Sequence, residues 1–159
     1  MVDPHKMAQL WKKVKNNVAK YGWHITGVFH GEDTPPFAYS VGAWDLALPE
    51  LLIVGLGYQS GGAILNEILG AARDGLELKE GVAYNQFANF PLYFKALTPN
   101  QAHEWTTMAC TYHTKGKGKA GSTVPFLVLQ VVYPDPKGRY PWDKGYDFPP
   151  QTRCWEDPL

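Results

Sequence analysis

The sequence predicts an α+β fold: an antiparallel sheet, or a partly closed β-barrel, with about three flanking helices. Three observations carry this. Apolar residues recur at three- and four-residue steps over the first twenty positions, at alternate positions between residues 23 and 41, and in nearly unbroken runs at 51–56 and 126–132. Turn-forming residues separate these segments at hairpin-like spacing. With 159 residues, 45% of them hydrophobic and 19% charged, the chain suffices for one core and shows no linker. Residues 1–159 therefore read as a single domain: an amphipathic helix in 1–21, an α+β core in 22–133, and a Pro- and aromatic-rich segment in 134–159.

The first element is a helix. Asp3 suits its cap and Pro4 its first position, and Met7, Leu10, Trp11, Val14 and Val18 then share one face up to a stop at Gly22. The other face, with Lys12, Lys13, Lys15, Asn16, Asn17 and Lys20, reads as a solvated helix face rather than a nucleic-acid stripe. Two antiparallel strands follow, with Trp23, Ile25 and Phe29 alternating against His24, Thr26 and Val28, and then Phe37, Tyr39 and Val41 on alternate positions. Residues 51–56 form a central strand. A glycine turn leads to a second helix beginning at Ser60 or Gly61, carrying Leu65, Ile68 and Leu69, and ending at Gly75.

Residues 76–78, 83–87 and 91–97 suit short strands. Thr98-Pro99-Asn100-Gln101 is a capping-box start for a third helix running to about Tyr112. Lysines and glycines alternate over 115–119 in a Lys-Gly-rich segment, 115–121, that disfavours regular structure, and 124–132 is the last core strand, giving about six strands in all.

Fifteen basic and fifteen acidic residues cancel, so no global field gathers nucleic acid or anionic lipid, and any such contact is local, through Lys115, Lys117 and Lys119. The two cysteines, Cys110 and Cys154, form no CxxC pair and do not make a disulfide scaffold. No apolar run approaches the ~18 residues of a membrane span, and a soluble cytoplasmic protein is the expectation.

Several groups bear chemistry. Gly57, Ser60 and Gly61 lie between a buried strand and a helix, where amides at a helix N-terminus suit an anion, although the spacing matches no nucleotide fingerprint and a plain strand-to-helix turn is the commoner outcome. His24 and Ser40 fall on neighbouring strands, with Tyr39 facing the opposite way from Ser40; a base and nucleophile pair or a structural histidine both fit. His30 is too far along the strand to share a metal with His24, and the spacing of His103, Cys110 and His113 favours structural roles over a zinc site. Asp135, Arg139, Trp142, Asp143 and Tyr146 form a turn of polar ends and flat rings that either grips a ligand or packs as a stiff cover. It is expected to carry Trp142 and Tyr146 back across one end of the sheet, near Tyr39.

The segments Phe37-Ala38-Tyr39-Ser40-Val41-Gly42, Pro49-Glu50-Leu51-Leu52-Ile53-Val54-Gly55-Leu56 and Pro134-Asp135-Pro136-Lys137-Gly138-Arg139-Tyr140-Pro141-Trp142 together resemble a bacterial and phage family, domain of unknown function 4262, from Gly22 to about Gln151. Members often place a histidine directly before the Pro-Glu, where this chain has Leu48. The element order also resembles the split-barrel fold of flavin reductases and pyridoxamine-phosphate oxidases.

Three functions follow as expectations. The first is a module binding a nucleotide- or flavin-like molecule through His24, Tyr39, Ser40, Gly57, Ser60, Gly61, Asp135, Arg139 and Trp142. The second is a phage- or plasmid-type interaction factor that inhibits a host system, which the resemblance implies through the family's occurrence in mobile elements. The third is a hydrolase using His24 with Ser40 or Glu50.

Overall fold

The structure, a computed structural model, describes residues 3–29, 31–114 and 126–157. His30 and the Lys-Gly segment with Lys115, Lys117 and Lys119 lie outside the described residues. The chain runs α1 (Pro4–Tyr21), β1 (His24–Val28), β2 (Phe37–Val41), a short 3-10 helix (Ala43–Leu46), β3 (Glu50–Val54), α2 (Tyr58–Arg73), β4 (Tyr93–Ala96), α3 (Pro99–Trp105), α4 (Thr107–Thr114) and β5 (Val128–Val132).

The strands form one five-stranded sheet in the order β1-β2-β3-β5-β4. β1 pairs with β2, β2 with β3 and β4 with β5 in antiparallel fashion, while β3 and β5 are parallel, with Glu50 opposite Val128. The α+β expectation holds for a mostly antiparallel sheet, but the sheet is open: β1 and β4 are its two edges, and among the described residues no pairing closes a barrel. After the long crossover through α2, β4, α3 and α4, the last strand inserts between β3 and β4.

Helices cover both faces of the sheet. Leu65, Ile68 and Leu69 of α2 pack on Trp23, Ile25, Ala38, Leu51 and Ile53, each buried aliphatic side chain contributing about 1.5–3 kcal/mol. Val14 of α1, with Ala102 and Ala109 from α3 and α4, packs on Phe37, Tyr39, Val41, Leu52 and Val54. β2, β3 and β5 are consequently buried on both faces. Alternation in β2 thus separates two cores rather than a core from solvent, and at the end of β1 the apolar Phe29 is 87% exposed.

Caps set both ends of α1 and the start of α3 where the sequence places them. Asp3 Oδ1 accepts from the His5 amide, and α1 stops at Gly22 in a left-handed conformation, φ 100°. Thr98 and Gln101 form the reciprocal capping box of α3. The expected third helix is two: it breaks at Thr106, whose hydroxyl donates back to the Ala102 carbonyl. Residues 76–78 and 83–87 make no strands beyond a single Tyr84–Leu92 bridge. There the Tyr84 hydroxyl donates to the Glu77 carbonyl and accepts from the Lys79 amide, folding the segment around one ring.

Candidate functional site

Where α1, β1 and α2 meet at the sheet edge, a cleft of about 390 Å³ opens. Tyr21, Trp23 and Tyr58 supply its aromatic walls, and Asn17, His24, Asn66 and Arg73 its polar groups. Each is fixed by a neighbour. Trp23 Nε1 donates to Asn66 Oδ1 at 2.9 Å, leaving the Asn66 amide nitrogen for other partners. Arg73 lies 5.1 Å from the Trp23 ring and donates to the Tyr21 carbonyl at 3.3 Å. The Asn17 side-chain amide donates to His24 Nδ1 at 2.8 Å, which puts the proton of a neutral ring on Nε2. Burial, and then the charge of Lys13, lowers the His24 pKa from its ordinary value and keeps the ring neutral near pH 7.

A second recess of about 240 Å³ continues along the same edge past Tyr58, with Leu10, Lys13, Thr26, Gly27 and Phe29 around it. Tyr58 stands between the two because it lies directly over Gly27: a Cβ there would meet the Tyr58 Cβ at 2.7 Å.

Across the sheet, on the side of α4, lies a buried polar cluster. Glu50 is fully buried; its Oε1 accepts from the Ser40 hydroxyl at 2.7 Å and the Ala43 amide at 3.1 Å, and its Oε2 accepts from the Gly42 amide at 2.8 Å. His113 Nε2 completes the set, 2.5 Å from Glu50 Oε2, while its Nδ1 is 3.9 Å from the surface residue Asp45. Tyr112 donates to Asp45 at 2.6 Å; burial first, then that carboxylate, pushes its pKa up to about 12. The Ser40 hydroxyl, also fully buried, accepts from the Leu51 amide, so both its roles are taken. The cluster ties the β2–β3 connection to α4. Ser40 and His24 are therefore not partners, and the imidazole near Ser40 and Glu50 belongs to His113.

The remaining expected ligand residues are scattered. Tyr39 is a core side chain whose hydroxyl accepts from the Met108 amide at 3.1 Å. α2 begins at Tyr58, two residues before Ser60, with Gly57 as its N-cap. Gly57 and Ser60 are exposed and line neither cleft described above. Gly61 is where helix and sheet approach closely: a Cβ there would sit 2.9 Å from Ile53 Cγ2.

Asp135 organises its own turn. Its carboxylate accepts from the amides of Lys137, Arg139 and Asp147 and pairs with Arg139 Nε at 3.1 Å. Burial alone raises its pKa, but these hydrogen bonds outweigh burial and bring it down to about 2. The turn does not reach Tyr39. Trp142 stacks on Tyr140 with centroids 5.4 Å apart and meets Tyr93 of β4 edge-on at 5.3 Å. β5 delivers the turn to the β4 edge, and β3 and β5 lie between that edge and β2.

The family model described as "Domain of unknown function (DUF4262)" matches residues 17–147. The chain belongs to this family. No curated protein and no solved structure matches it. The DUF4262 segment includes every lining residue of the larger cleft, the Glu50–His113 pair and the Asp135–Trp142 turn, but leaves out Leu10 and Lys13 of the smaller recess. No helix among the described residues is long and apolar enough to cross a membrane.

The structural role expected of His113 holds, but its pairing with Glu50 was not foreseen, and neither were Asn17, Asn66 and Arg73 as lining residues of the cleft. A signal existed in Glu50, an acid at the head of an apolar strand, since a carboxylate there needs buried partners. The partner's position, 63 residues on, was not readable from spacing.

Proposed function

We propose that this DUF4262 chain is a small-ligand module that takes a mononucleotide in the cleft at the β1 edge. The observation that carries the reading is the convergence there of Arg73, Asn66 and His24 beside Trp23 and Tyr58. Arg73 suits a phosphate, Asn66 and His24 Nε2–H suit a base or ribose, and the aromatic rings suit a flat heterocycle. A volume of about 390 Å³ is at the small end of ligand pockets, which run from about 300 to 1,000 Å³, and favours a mononucleotide over a flavin nucleotide. Calorimetric titration with AMP, GMP, CMP and FMN tests it. Binding that Arg73→Ala weakens by about tenfold or more, with an unchanged melting temperature, supports the reading. Failure of all four ligands to bind at millimolar concentration ends it.

A second reading, a protein-interaction factor, draws on a different surface. Trp142 is 46% exposed, with Lys95 Nζ 5.5 Å from its ring, on the opposite edge of the sheet. Nucleotide binding that survives Trp142→Ala, with loss of a co-purifying protein in the same variant, separates the two. The hydrolase reading has no free nucleophile at Ser40 to draw on.

A further inference from the structure

We propose that β1 is a self-association edge at which two copies of this chain pair antiparallel, extending each five-stranded sheet across a twofold axis. β1 is an end strand of the sheet, and among the described residues no strand pairs with its outer side. An end strand presents alternate amides and carbonyls outward, a template that proteins ordinarily blunt with proline, charge or a covering segment. His24-Ile25-Thr26-Gly27-Val28 contains no proline, lysine or acid. Phe29, next in the chain, is 87% exposed, and Leu10 and Tyr58 are also exposed beside the same edge. A large ring held in water at the end of an edge strand is a feature of an interface.

The charges on either side of the strand make a second copy the occupant. Before β1 stands a basic region: α1 carries lysines and no acidic residue, Lys20 lies in its last turn, and Arg73 is held against the Tyr21 carbonyl. After β1 come Glu32 and Asp33, both exposed. Antiparallel pairing centred near Gly27 sets Thr26 of one copy opposite Val28 of the other, and brings Asp33 of each copy toward Tyr21, Lys20 and Arg73 of its mate. It also sets Phe29 opposite Ile25, over the recess of about 240 Å³ beside Tyr58. Every contact occurs twice by symmetry. A net charge of zero leaves no global repulsion to oppose association. This goes beyond the nucleotide reading and does not require it, because the backbone of β1 can pair with no nucleotide bound, even though the mate's Asp33 comes to the Tyr21–Arg73 rim of the ligand cleft.

Sedimentation velocity of the purified chain without nucleotide, over a hundredfold concentration range, is the test. A monomer–dimer equilibrium is expected. Phe29→Glu should abolish the dimer while leaving the circular dichroism spectrum unchanged, since the side chain is exposed. Asp33→Lys should raise the dissociation constant about tenfold, through two symmetry-related contacts turned repulsive, and adding Lys20→Glu should recover most of that loss. A wild-type monomer at every concentration overturns the proposal, as does a dimer indifferent to both Phe29→Glu and Asp33→Lys. A chain that stays monomeric alone, with β1 amides protected from hydrogen exchange only by a different protein, assigns the edge to that partner and equally overturns self-pairing.

Discussion

Glu50 and His113 meet at 2.5 Å, with the glutamate fully buried and the histidine nearly so. The carboxylate holds the first amides of the 3-10 helix after β2, and the imidazole brings the end of α4 to it. One buried charge thus joins the β2–β3 connection to a helix from the far side of the crossover.

Removing the charge should be more damaging than removing its partner. Glu50→Ala strands His113, the Ser40 hydroxyl and two amides at once, and is expected to cost about 3–5 kcal/mol. His113→Ala leaves the carboxylate three donors and should cost about 1–3 kcal/mol. Urea denaturation at pH 7 measures both. A Glu50→Ala variant as stable as wild type would show that the cluster is not structural.

Acid should weaken the fold in two separate windows. The folded pKa of His24 lies below its ordinary value of 6.5, so the unfolded chain takes up that proton first and stability falls as pH drops below about 6.5. Asp135, at about 2 when folded against an ordinary 3.8 in the unfolded chain, adds a second loss as pH falls from about 4 toward 2. His24→Gln should remove the upper window and leave the lower one. Melting temperatures from pH 8 to pH 2.5 provide the check, and an upper window that persists in the variant would assign it to another group.

Trp142 separates a surface role from a core one. It is 46% exposed and touches Tyr140 and Tyr93, so Trp142→Ala should cost about 1–2 kcal/mol, short of the roughly 3–5 kcal/mol of a buried aromatic. A larger loss by thermal melting would mean that the ring holds the C-terminal turn in place.

Two glycines of α2 should respond oppositely to alanine. At Gly70 an added methyl meets no atom within 4 Å, so Gly70→Ala should stabilise by roughly 0.5–1 kcal/mol. At Gly61 the same methyl meets Ile53 Cγ2 at 2.9 Å, between helix and sheet, and should destabilise by about 1–3 kcal/mol. Chemical denaturation of both variants tests the pair; equal effects would contradict the close approach of α2 to β3.

Local signals determined the caps and faces of this protein. Asp3, Pro4 and Gly22 delimit α1, and Thr98 with Gln101 starts α3, because a helix start needs acceptors for its free amides and a helix end needs donors for its free carbonyls, and both are found within four residues. The apolar run of β3 was legible as a central strand for a related reason: a strand buried on both faces carries that burial in its own composition. Strand order is not local. The parallel pairing of β3 with β5 depends on a long crossover that no periodicity reports. It sent Trp142 to the β4 edge, away from Tyr39, and joined Glu50 to His113 rather than Ser40 to His24. His24 was legible as a candidate, but Asn17, Asn66 and Arg73 were not, because helices on opposite faces of the sheet supply them and only packing brings them to one edge.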